Sequence, residues 1–104
     1  MPLSALSKNY LQGLEAVSRS LIIGDAFRML YANNGALIFT VEADVFGEGT
    51  QISLCDFDGG APLFAAGAGV TLSSDGTLGP IAQFTVATII LSPTANQWIV
   101  VGNV

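Results

Sequence analysis

Apolar positions near the start of the chain recur every three or four residues. Between residues 3 and 21 they fall at Leu3, Leu6, Tyr10, Leu11, Leu14, Val17 and Leu21, the spacing of one helix face. In heptad order Leu3, Ser7, Tyr10, Leu14, Val17 and Leu21 make a single seam with a polar break at Ser7. Gly13 lies inside it and costs about 1 kcal/mol relative to Ala. A helix of this length needs a partner, either other copies of the chain or the domain's own β-structure. Gly24 and Asp25 suit its end and the turn beyond.

From there the period changes to two. Residues 26–32 and 36–42 read as strands around Asn33-Asn34-Gly35, a hairpin signal because Asn and Gly accept left-handed backbone. In the second strand Leu37, Phe39 and Val41 share one side, opposite Ile38, Thr40 and Glu42. Residues 50–57 form a third strand, with Ile52, Leu54 and Asp56 opposite Ser53, Cys55 and Phe57. Asp58-Gly59-Gly60 turns the chain into 62–66. Gly67 and Gly69 then kink it into 70–73, and Asp75-Gly76 turns it again. Residues 81–91 fit one bent strand or two short ones, and 97–101 close the chain after a turn at 93–96. Short strands with frequent turns predict a mainly β fold, an antiparallel β-sandwich or jelly-roll-like barrel with a short N-terminal α-helix. The expected division is an N-terminal helical segment, 1–24, for oligomerisation or attachment, and a β-domain, 25–104.

Composition sharpens this. Of the 104 residues 51% are hydrophobic and 11% charged, against about a quarter charged in ordinary domains. Several strands are apolar on both faces, notably 88–91 and 98–101. An antiparallel sheet usually turns one polar face to water, so the second apolar face needs a cover. Homo-oligomerisation supplies one. The net charge is −5, and from Met29 onward there are six carboxylates and no base. Such a surface repels nucleic acid and anionic membranes. No apolar run is long enough to span a bilayer. Cys55 is the single cysteine and reads as a buried strand thiol. There is no histidine, hence no ordinary general base. The N-terminal residues lack a cationic leader, which fits folding in a reducing cytoplasm.

Gly49-Thr50-Gln51-Ile52, the Asp-Gly-Gly turn, Gly67-Ala68-Gly69-Val70-Thr71-Leu72 and Asn96-Gln97-Trp98-Ile99-Val100-Val101-Gly102-Asn103-Val104 follow one another in order. That succession resembles the C-terminal β-domains of bacteriophage tail-fibre, tailspike and related small virion proteins. The resemblance implies a homotrimeric structural module of a virion, assembled in the host cytoplasm and mediating attachment. Its partners would be further copies and other virion proteins, with no cofactor. Because the chain starts at Met1 without a long shaft, a capsid-decoration or head-fibre role is an alternative. A tip that binds a host glycan or receptor is another. The assembly contacts expected are Leu3, Tyr10, Leu14, Val17, Leu21, Trp98 and Val100.

Two acidic pairs invite chemistry. Glu42 and Asp44 would share a strand face, and paired carboxylates can cleave glycosides. Surface charge at a strand end is the simpler reading. Asp56 and Asp58 before Gly59-Gly60 offer oxygens to a cation such as calcium, but they lack the distant bidentate Glu of a calcium loop, and an ordinary Asp-Gly turn is the simpler reading. Neither pair comes with a nucleophile or base, so no enzyme is expected.

Overall fold

An alternating strand must bury one row of side chains, and this chain buries its inner rows within its own winding. The computed structural model describes residues 14–102. Nine strands are present among them: β1 (Leu14–Glu15), β2 (Arg19–Ser20), β3 (Met29–Ala32), β4 (Ile38–Val41), β5 (Gln51–Asp56), β6 (Leu63–Ala66), β7 (Thr71–Ser73), β8 (Val86–Leu91) and β9 (Gln97–Val101). β1, β3 and β5 pair in parallel, as do β2, β4 and β6. Each successive turn of chain therefore adds one strand to each of two sheets, giving a β-solenoid-like arrangement of three coils. β8 then pairs antiparallel with β5, β9 antiparallel with β8, and β7 parallel with β9. The result is a six-stranded mixed sheet, β1-β3-β5-β8-β9-β7, beside a three-stranded parallel one, β2-β4-β6.

This corrects the expected antiparallel sandwich or jelly roll with its N-terminal helix. The stretch 14–21 carries two short strands, β1 and β2, because its backbone groups bond to the next coil: Asn33 N–H donates to Glu15 O, and Leu21 N–H to Thr40 O. Gly13, Val17, Ser18 and Ser20 give a helix little to set against that pairing. The rest of the proposed helix, with Leu3 and Tyr10, lies outside the described residues. The Asn33-Asn34-Gly35 hairpin is also corrected, since β3 and β4 belong to different sheets and the three residues round a coil corner. Asn34 Nδ2 donates to Ala16 O at 2.7 Å, tying that corner to the coil before it. The strand over 81–91 is shorter than expected and begins at Val86.

The inward rows hold as read for β4 and β5: Leu37, Phe39, Val41, Ile52, Leu54 and Asp56 are all buried. Stacking extends them. Phe39 lies in register with Phe64, Leu30 with Leu54, Ile52 with Ile89, and Ile89 with Val100. Leu72 and Leu91 flank Trp98 in register, and the Phe46 ring meets Trp98 edge-on with 5.5 Å between centroids. The segment with Gly67 and Gly69 turns β6 into β7, with Val70 N–H bonded to Gly67 O. The Thr71-Leu72 and Gln97-Trp98 segments thus become sheet neighbours.

Corners must nest for coils to stack. Asp58 accepts the Gly35 N–H at 2.8 Å, and a Cβ on Gly60 would run into the Gly35 backbone. Gly60→Ala is therefore expected to destabilise by about 1–3 kcal/mol, whereas Gly47→Ala, where an added Cβ meets nothing within 4 Å, should be near neutral. Paired thermal melts check the contrast, and equal midpoints would contradict the nested corners.

Candidate functional site

Inward positions of the first coil carry charge rather than grease. Glu15 lies in register with Ala32 and, beyond it, Asp56, whereas Arg19 continues the Phe39–Phe64 row of the core. The chain after β2 makes a 3-10 turn, Ile23–Asp25, that brings Asp25 back under Arg19. Arg19 Nη1 and Nη2 grip the two Asp25 carboxylate oxygens at 2.7 and 2.9 Å, and Arg19 Nε bonds Glu15 at 2.9 Å. Ile22 N–H adds a bond to Asp25 at 2.8 Å. The guanidinium carbon lies 5.9 Å from the centre of the Phe39 ring, within cation–π range. Asp25 is 1% exposed. Burial alone would push its carboxyl up, but Arg19, the Ile22 N–H and the more distant Arg28 outweigh it and hold the group below its ordinary value. The Asp25 bond drives Arg19 further up, against the cost of its own burial.

This cluster presents no open oxygen or nucleophile. It is a lid on the core, and sequence reasoning missed it because Glu15 and Arg19 sit four apart, like a helical ion pair.

The other notable surface is the outer face of the six-stranded sheet. In-register rows there run Leu14–Tyr31–Cys55–Val86, then Met29–Ser53–Thr88–Val101, then Gln51–Ile90–Ile99–Ser73. None of these outward residues is charged. Ile99 is 45% exposed and Val101 41%. At its margin three rings meet edge-on, Tyr31 with Phe57 at 6.0 Å and Phe57 with Phe84 at 6.2 Å. Phe84 is 68% exposed. It sits at φ +64°, where a bulky residue is strained. Cys55 is buried in its row, and burial first, then neighbouring Asp56, pushes its thiol up.

The residues singled out from sequence disperse. Trp98 and Val100 lie in the chain's own core, as does Leu21, while Leu14 and Val17 are exposed. β4 ends at Val41, and Asp44 has φ +63°, so Glu42 and Asp44 do not share a strand face. Asp44 pairs instead with Asn96, accepting from Nδ2 at 3.0 Å and donating its N–H to Oδ1 at 2.9 Å. The Asp56 oxygens accept the Gly59 and Ala61 N–H groups, and the Asp58 oxygens those of Gly35 and Gly60. These are turn-holding bonds. Among the described residues no cluster of three or more metal-type ligands occurs. A shallow pocket lined by Ser73, Ser74, Asp75, Ile99 and Val100 lies beside the outer face.

Asp25→Asn is expected to cost about 3 kcal/mol at neutral pH, because it leaves Arg19 half-answered. The depressed carboxyl also sets a pH dependence. The folded form binds its proton less readily than the unfolded form, so the ion pair contributes fully above the ordinary Asp value of about 4. That contribution is lost as pH falls through the lower, folded value. Urea melts from pH 7 to pH 2 should show a steep acid loss in the natural chain and a shallower one in Asp25→Asn. Cys55 should react slowly with thiol reagents at pH 8 until denaturant is added, since burial keeps it a thiol. Rapid labelling of the folded chain would contradict its placement.

Comparison of the chain with protein-family models, with curated proteins and with solved structures finds no match, which leaves the geometry and the residue pattern to carry the functional reading.

Proposed function

We propose that this chain is a non-enzymatic structural module of a bacteriophage particle, working in attachment as a homotrimer. The observation that carries this reading is the outer face of the six-stranded sheet. It is uncharged along every strand and half apolar, and exposed rings border it. Monomeric soluble proteins rarely leave such a surface bare. The pairing of Leu72 with Trp98 supports the likeness to phage β-domains, because the two segments that carry it form one local unit. The acidic surface supports a role away from nucleic acid. The carboxylates that could suggest catalysis or a cation are engaged in turn and corner bonds.

Light scattering at micromolar concentration should give three times the mass of one chain. That mass should hold between low salt and 1 M NaCl, since a contact without charges gives screening little to act on. A stable monomer would overturn the proposal. A trimer should then be found on particles by antibody labelling.

A further inference from the structure

We propose that the outer face of the six-stranded sheet is the surface on which a second copy of this chain docks. This rests on the assembly reading above and names its contact.

Charge gives the first argument. Every copy carries a net charge of −5, so two copies repel unless they meet where neither presents a carboxylate. The outward rows of the six-stranded sheet are such a place, with a single carboxylate, Asp75, at their rim beside Ser73 and Ile99. The outer face of the three-stranded sheet is not, because Glu42 follows β4 there and reaches Ser20 Oγ at 3.4 Å. The turn at residues 22–27 also exposes Ile22, Ile23 and Phe27, but it is one short turn and not a sheet face.

Area gives the second. Six strands of two to six residues, about 4.8 Å apart with a rise of ~3.3 Å per residue, present roughly 400 Å² in plane. Projecting side chains and the bordering rings bring this towards the ~800 Å² per partner of a standard interface. The centre is Ser53 and Thr88, whose hydroxyls bond each other at 2.8 Å. That bond answers one of the two hydroxyl donors within the chain and leaves the other to bond across the contact.

Strain gives the third. Phe84 holds a left-handed backbone while 68% exposed. In an isolated chain this is a cost with no matching burial. Against a second copy the ring becomes an aromatic anchor at the interface edge, the residue type that dominates contact energies.

The test is light scattering and sedimentation on the full chain, with Ile99→Glu and Val101→Glu, and with Thr40→Glu on the other sheet as control. Circular dichroism checks folding. Both outer-face variants should weaken self-association about thirty-fold or more, and Thr40→Glu should leave it unchanged. If the natural chain is already a monomer, this inference falls together with the assembly reading. If it is oligomeric and folded Ile99→Glu and Val101→Glu keep its mass, the docking face is wrong and the assembly reading stands. Should both Glu variants unfold, Thr88→Cys decides, since it exchanges one small side chain for another. A short bismaleimide should link two copies through residue 88, and an oligomer that yields no such link overturns the proposal.

Discussion

Arg19 stands where a row of aromatic side chains runs out. Phe64 and Phe39 stack beneath it in register, and any winding of parallel strands has the same difficulty at its first coil. Its inner side chains have neighbours on one side only. Among the described residues the last layer is ionic. The guanidinium lies over Phe39, and Asp25 and Glu15 clamp it from the rim. The arrangement gives the rows beneath a flat, hydrogen-bonded cover whose remaining exposed edge is polar. A buried ion pair is poor evidence of net stability, because desolvation consumes much of the Coulomb gain. Its value here is positional. Asp25 accepts from Arg19 and from the Ile22 backbone together, so the pair fixes where the first coil turns. Every later coil inherits that register.

The opposite end of the stack is closed by different means. β8 reverses direction on β5, and β9 follows it, so the third coil faces an antiparallel pair instead of another coil. The corners between coils carry the remaining constraint. Stacked corners bring backbone against backbone, as at Gly35 and Gly60. Carboxylates of Asp56 and Asp58 answer the amides those tight corners would orphan. Buried donors without partners are costly, and every buried side-chain polar atom among the described residues has one.

What was legible in the sequence follows from this. Strand positions and faces were readable, because the two-residue alternation at Leu37–Phe39–Val41 and Ile52–Leu54–Asp56 depends only on which side is buried. Pairing was not. Asn33-Asn34-Gly35 has the same local chemistry at a hairpin and at a solenoid corner. The difference lies in Glu15 and Ala16, whose carbonyls receive the corner's donors from the preceding coil. The apparent helix fails for a related reason. Leu14, Val17 and Leu21 fit a helical seam, yet in the fold Leu21 points into the core while Leu14 and Val17 point away. Neighbouring strands decide that, and no window of local sequence contains them. Along β9 a single step separates the two faces: Trp98 and Val100 point into the chain's own core, and the strand turns Ile99 and Val101 outward.

That single step bears on how an acidic chain could assemble. Six carboxylates and no base lie beyond residue 28, so approach in most orientations meets repulsion. The carboxylates nonetheless leave one sheet face clear. Asp56 points inward, Asp58 sits at a corner, Glu42 and Asp44 lie past the end of β4, Glu48 lies in the loop before β5, and Asp75 stands at the rim, in the turn after β7 beside Ile99. In a sheet with one watery side, those outward positions would be the natural sites for Lys and Glu, which keep a lone face soluble. Here Thr, Ser and Gln are interleaved with Ile, Val and Tyr. Side chains of that kind tolerate both water and burial, as expected of a surface that must survive as a free subunit before it is covered. In the proposed assembly, charge kept off one face and spread over the others would set orientation, because it leaves few wrong ways for copies to meet.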